Sequence, residues 1–217
     1  MSRRKTIWLM LGLACTAILA GGLLLSPGRD FVHGVVNNEA FASGRPLSYW
    51  VRQLSDNDSS NRRAAIDAIG HMGRDASAAV PALASIAKSD DIALRTWAVS
   101  NGLEKIGPAA VPTLCDMMKD QDRRLRTIAI IAVGHIGPEA KVAVPSLVKA
   151  LKDEFPLTRA MAANALGDMG SAAKDAVPAL IEALQDKNGG VRNEASLALK
   201  KIDPKALSKA TIPWVPL

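Results

Sequence analysis

The chain has 217 residues, with 48% apolar and 22% charged side chains and a formal net charge of +6. That balance excludes wholesale disorder, and two cysteines exclude a disulfide framework. One Tyr and three Phe beside abundant Ala and Leu favour packed helices over a β-sandwich.

The first element is a membrane signal. Arg3, Arg4 and Lys5 supply half of the net charge, and no charged residue follows until Arg29. The 19 residues 7–25 are apolar or small. As a helix rising about 1.5 Å per residue they span about 28 Å, close to a ~30 Å hydrocarbon core. Trp8 stands near the basic end, where an interfacial anchor belongs. Residues 1–25 are therefore expected to be an uncleaved anchor of the inner, cytoplasmic membrane. The positive-inside rule then keeps the basic end in the cytoplasm and the rest outside it, in the periplasm. Two other readings stay open: a cleaved signal peptide that releases a secreted protein, and a lipoprotein modified at Cys15. Residues 26–45, with Pro27, Gly28, Gly34 and Gly44, read as a linker.

From residue 46 onward 22 Lys and Arg face 19 Asp and Glu, a balance of only +3, which is no nucleic-acid footprint. This region is one unit written five times. Val-Pro recurs at Val80-Pro81, Val111-Pro112, Val144-Pro145 and Val177-Pro178, spaced 31, 33 and 33 residues. An Arg recurs at Arg62, Arg95, Arg126, Arg159 and Arg192, spaced 33, 31, 33 and 33. The short second unit gains a residue between Arg95 and Gly107 and loses three between Gly107 and Pro112. Each unit reads as two helices. Helix A opens with Val-Pro, since Pro is tolerated in a first turn. A turn and the repeating Arg follow, and an Ala-rich helix B ends at Gly. Neither helix is long enough to be stable alone in water, so neighbours must stack and bury their apolar faces.

The Val-Pro opening, the Asp followed six residues later by Arg, and the closing Gly-x-[Ile/Met]-Gly resemble HEAT repeats, most closely those of phycobilisome lyases. The resemblance covers residues 46–203 and implies an all-α, α-α superhelix, a solenoid of five helix pairs behind the N-terminal helix. Its Asp-to-Arg ladder comprises Asp56/Arg62, Asp120/Arg126, Asp153/Arg159 and Asp186/Arg192. The second unit departs, with Ser89 six residues before Arg95. Repetition of the pair at one place in every unit marks it as structural, a turn carboxylate taking hydrogen bonds from backbone N–H groups or from the Arg. The end units read as caps: Tyr49 and Trp50 enter the first helix A, while Lys200 and Asp203 replace the Gly pair in the fifth. The tail, residues 204–217, carries Pro213, Trp214 and Pro216, and either folds back on the last repeat or docks on a partner.

Little in the sequence points to catalysis. His71 and His135 hold the same place in helix B two units apart, near 20 Å at ~8–10 Å per helix spacing, too far to share a metal. The His-Glu pairs of HEAT-like metalloenzymes are absent, since Met72 and Ile136 follow the two histidines. Cys115 reads as a buried structural cysteine. Arg123, Arg124 and Arg126 read as a solvated turn. No catalytic, cofactor-binding or metal-binding residue is therefore assigned.

One surface stands out. Counting helix B from its Arg, position two holds Ala64, Trp97, Ile128, Met161 and Glu194, and position five holds Asp67, Ser100, Ile131, Asn164 and Leu197. Since helix B lines the concave face in the family it resembles, Trp97, Ile128, Ile131, Met161 and Asn164 are expected to form a partner-binding patch there. The opposing reading packs position two against the neighbouring repeat. The expected function is a non-enzymatic scaffold or assembly subunit that holds another protein, a subunit of a membrane complex, without a cofactor and without nucleic acid. The alternative implied by the resemblance is a lyase-like or chaperone-like subunit that binds a tetrapyrrole.

Overall fold

The computed structural model describes residues 26–89 and 91–210. The expected anchor with Arg3, Arg4, Lys5 and Trp8, and tail residues 211–217 with Trp214, lie outside the described residues.

Residues 26–45, expected to be a linker, instead carry structure. Helix α1 (Ser26–Val36) leads into a hairpin of β1 (Phe41–Ala42) and β2 (Arg45–Pro46). Ser43 and Gly44 both take positive φ, 49° and 71°, as a two-residue hairpin turn requires. The segment has its own small core: the rings of Phe31 and Phe41 meet edge to face at 5.4 Å. It is also tied to the first repeat. Trp50 Nε1 donates to the Ala42 carbonyl at 3.1 Å, and the Ser48 amide donates to the Glu39 carboxylate at 2.8 Å. The aromatic residues that break the repeat pattern thus hold a cap on the N-terminal face. The sequence hid this cap because it is too short to show periodicity.

Five helix pairs follow, as the spacing predicts. They are α2 (Leu47–Gln53) with α3 (Ser59–Met72), and α4 (Val80–Ala87) with α5 (Ile92–Trp97) and α6 (Glu104–Ile106). Next come α7 (Val111–Met117) with α8 (Arg123–Ile136), α9 (Val144–Ala150) with α10 (Pro156–Asp168), and α11 (Val177–Ala183) with α12 (Gly189–Ile202). The Val-Pro prolines sit in the first turns of the A helices. Asp58, Asp91, Asp122 and Asn188 accept backbone N–H bonds at the starts of four B helices. Helices α3, α6 and α8 stop at Gly73, Gly107 and Gly137, whose φ of 58°, 80° and 73° is costly for a side-chain-bearing residue. The start of the expected tail is also helical: α13 (Pro204–Lys209) begins at a proline and is capped by Asp203.

The core repeats with the sequence. Leu83, Leu114, Leu147 and Leu180 hold one place in helix A, and Ala65, Ala98, Ala129, Ala162 and Ala195 one place in helix B; all are fully buried. Each buried Leu contributes about 1.5–3 kcal/mol, and each Ala lets adjacent backbones approach. Residues Arg123–Ala150 are long and apolar enough to cross a membrane, but they break at Ala140 (φ −86°, ψ 20°), and most of their apolar side chains, Leu125, Ile130, Val133 and Leu147 among them, pack in this core.

The irregular second unit is resolved by geometry. Its extra residue is absorbed in a π-helical stretch, Ala98–Leu103, between α5 and α6. Its three missing residues shorten the connecting 3₁₀ turn to Gly107–Ala110, against Gly137–Ala143 in the next unit. The Asn101 carbonyl of the π stretch lies so close to Gly70 that a Cβ there would approach it to 1.9 Å.

The ladder differs from the within-unit pairing expected. Each Arg bonds the backbone carbonyl of its own turn: Arg62 to Asp56, Arg126 to Asp120, Arg159 to Asp153 and Arg192 to Asp186, all at 2.8–2.9 Å. The carboxylates that Arg95, Arg126 and Arg159 hold belong to the next unit, 27 residues on. Arg126 pairs with Asp153, and Arg159 with Asp186 through Nε at 2.7 Å and Nη2 at 2.8 Å. Arg95 departs from this: through Nη1 it meets Asp122, the B-helix cap two residues after the ladder's Asp120. Within its own turn each Asp carboxylate takes the amide two residues on, as Asp56 does from Asp58 and Asp186 from Asn188 at 2.8 Å.

Candidate protein-interaction surface

The B helices present a stripe built by one register rule. Asp67, at position five of unit one, accepts from Trp97 Nε1, at position two of unit two, at 2.9 Å. Between units four and five the same two positions meet with the direction reversed, Asn164 Nδ2 donating to Glu194 at 3.3 Å. Both pairs are 30 residues apart, and Ile131 and Met161 hold the corresponding positions in units three and four. The stripe therefore has polar ends and an apolar centre.

Its members differ in exposure. Trp97 is exposed, and the Arg63 guanidinium stands 5.9 Å from its ring centroid. Ile128 and Met161 are half-buried and pack partly on the core, and Ile131 and Asn164 are half-buried as well. Leu197 adds an exposed apolar side chain at the fifth unit. Position two thus does both things weighed from the sequence: it packs toward its neighbour and keeps one face open.

A second feature was not foreseen. At the start of the B helices of units two to four lies an open cavity of about 380 Å³, lined by Ile92, Ile128, Phe155 and Leu157 with Arg95, Arg123 and Arg124. Ile92 and Leu157 are exposed. Arg123 stacks over the Phe155 ring at 4.8 Å. Of the basic cluster expected to be a solvated turn, Arg126 is buried in the ladder, while Arg123 and Arg124 are exposed and make no ion pair among the described residues. Thr127 donates to the Arg123 carbonyl at 2.8 Å, so the buried Thr158 hydroxyl donates to Thr127, 3.1 Å away, and closes the floor. A sequence signal existed: the B-helix N-cap series Asp58, Asp91, Asp122, Asn188 is interrupted by Phe155, an aromatic where every other unit carries a polar cap.

Among the described residues no group of His, Cys, Asp and Glu has metal-binding geometry. His71 and His135 are exposed; His71 Nδ1 lies 2.6 Å from its own helix's Asp67 carbonyl, and His135 pairs with Glu104. Cys115 is half-buried rather than buried, and burial pushes its thiol above the ordinary value, the opposite of an activated nucleophile.

A family model described as HEAT repeats matches residues 47–133 and 144–213. No curated protein matches the chain. Among solved structures it is similar to the complex of CpcE and CpcF of phycocyanin lyase from Nostoc sp. PCC7120, at 24% identity and a TM-score of 0.56, over 73% of this chain and 65% of that one. It is also similar to an engineered protein (23% identity, TM-score 0.52, 76% of this chain and 84% of that one) and to a designed armadillo repeat protein (18%, 0.52, 76% and 88%). At these identities the likeness is one of fold.

Proposed function

The chain belongs to the HEAT-repeat family, and from that premise we propose that it is a non-enzymatic scaffold that holds another protein along its B-helix stripe. The single observation behind this reading is the stripe's apolar centre, Ile128, Ile131 and Met161 beside the exposed Trp97, bounded by the polar pairs Asp67–Trp97 and Asn164–Glu194. An apolar anchor inside a polar rim is the composition of a protein interface, and Trp is the side chain that most often carries its energy. In this reading residues 7–25 tether the solenoid to the inner membrane with its repeats in the periplasm, so that its partner is a subunit of a membrane complex.

The test is co-purification of the full chain from gently solubilised membranes with intact-mass analysis. A retained N-terminus and a stoichiometric partner, lost in Ile131→Asp or Met161→Asp variants that keep wild-type helicity, support the reading. A partner retained by both variants removes the stripe from it. The tetrapyrrole alternative predicts visible absorbance that travels with the protein after incubation with a bilin; its absence ends that reading.

A further inference from the structure

We propose that the cavity at the start of the unit two to four B helices binds a short acidic segment of the partner protein, one that inserts an apolar side chain between flanking carboxylates. The proposal rests on the scaffold reading and names the partner's chemistry. Three features carry it. The cavity's apolar wall is solvent-facing: Ile92 is 50% and Leu157 63% exposed, side chains that no described part of the chain covers. Its volume of about 380 Å³ lies at the low end of ligand pockets, which suits one or two side chains rather than a large ligand.

The third feature is charge. Among the described residues three guanidiniums line the cavity and no carboxylate does. Arg95 is committed to Asp122 and to the Ser89 carbonyl, which leaves Arg123 and Arg124 as cations with no ion-pair partner among the described residues. The Arg123 guanidinium stands over the Phe155 ring, 4.8 Å from its centroid, a contact that restrains it before anything binds, and guanidinium is the group best shaped for carboxylate. Asp91 and Asp122 stand at the rim as helix caps, Asp91 4.0 Å from Arg62 and Asp122 paired with Arg95, and the exposed Glu154 beside Phe155 is paired with Arg126 at 3.5 Å, so among the described residues the unpaired charges at the rim are Arg123 and Arg124. The region from residue 46 onward balances to only +3, and the apolar wall beside the two guanidiniums calls for an apolar side chain as well as carboxylates, which favours a peptide over a broad anionic surface such as a lipid bilayer.

The experiment uses the full chain in mild detergent and a fluorescein-labelled peptide, Asp-Glu-Leu-Phe-Glu-Asp, read by fluorescence polarisation. Two controls replace its acidic residues with Lys or its Leu-Phe with Ser-Ser. The expected result is saturable binding of the first peptide, at least tenfold tighter than either control and weaker at high salt. Arg123→Ala with Arg124→Ala, and separately Leu157→Ser, should each weaken it at least fivefold while circular dichroism and the thermal midpoint stay at wild type; all three residues are exposed, so the fold does not depend on them. Equal binding of the Lys control, or indifference to the Arg variants, overturns the proposal. So does binding of phosphatidylglycerol vesicles that the Arg variants abolish while the peptide stays unbound, which would assign the site to lipid. If Ile131→Asp releases the natural partner but the Arg123/Arg124 double variant keeps it, the scaffold reading stands and this inference falls.

Discussion

Arg126 and Asp153 lie in different repeats, yet they form one unit: Nε meets Oδ2 at 2.8 Å and Nη2 meets Oδ1 at 3.1 Å, with both side chains about 90% shielded from solvent. Each partner is satisfied elsewhere too, Arg126 by the Asp120 and Gln121 carbonyls and Asp153 by the Phe155 amide. Removing one partner leaves a shielded charge without its buried counterion, Arg126 keeping only the exposed Glu154 at 3.5 Å. Arg126→Ala and Asp153→Ala are each expected to cost about 3 kcal/mol in urea unfolding. The double variant should cost clearly less than their sum, because the pair is broken only once. Additive losses would mean the two residues act separately.

The same pairs set the response to acid. Burial pushes the Asp153 carboxyl up, but the Arg126 guanidinium and the Phe155 amide outweigh it and hold the group below the ordinary carboxylate value. Arg159 does the same for Asp186 against a smaller burial effect. A carboxylate lowered in the folded state stabilises fully above its unfolded value of about 3.9, and that stabilisation is lost as pH falls through the lower folded value. The thermal midpoint should therefore be insensitive to these groups above about pH 5 and drop steeply below it. In an Asp153→Asn, Asp186→Asn double variant the midpoint starts lower and the acid slope flattens. An unchanged slope would place the acid sensitivity elsewhere.

The ladder has one weak rung. Ser89 stands where the other units carry Asp, its buried hydroxyl has no hydrogen-bond partner among the described residues, and among them Arg62 is left with Asp91 at 4.0 Å. Ser89→Asp should supply the missing carboxylate and raise stability by about 1 kcal/mol, within the range of a repaired local interaction. The gain should vanish in an Arg62→Ala background. A lower denaturation midpoint in the Arg62 background of the natural sequence would show that the carboxylate cannot reach the guanidinium.

Gly70 inverts a common rule. Gly→Ala inside a helix ordinarily gains up to about 1 kcal/mol. Here the added methyl meets the Asn101 backbone carbonyl of the π stretch, which cannot move aside as a side chain would. Gly70→Ala should therefore destabilise by about 2 kcal/mol. Gly134, whose nearest neighbour is Ala165 at 3.0 Å, should tolerate the same change better. Equal costs would show that the π stretch yields.

Much of the fold was legible because each unit repeats its reasons. Val-Pro starts, the closing glycines and the buried Ala and Leu positions recur at fixed spacing, so one unit explains the others. Even the irregular unit could be read, since one residue more before Gly107 becomes the π stretch and three fewer after it the short turn. The cap of residues 26–46 was not legible: it occurs once, and its contacts, such as Trp50 to Ala42, join residues with no shared pattern. The ladder's partners were misread because a periodic sequence shows which residues recur but not whether a side chain reaches within its unit or into the next. The cavity was missed for a related reason. Its walls come from three units, and only the odd Phe155 among polar caps marks it.

The cap of α1 and the hairpin precedes every repeat in the chain. During synthesis from the N-terminus a folded surface can therefore be waiting when the first helix pair emerges, and each finished pair becomes the template for its successor. Each Arg arrives 27 residues ahead of its Asp, so a new turn meets its clasp already in place. Growth by accretion of this kind has a direction, and an error in the cap would propagate to every unit built on it.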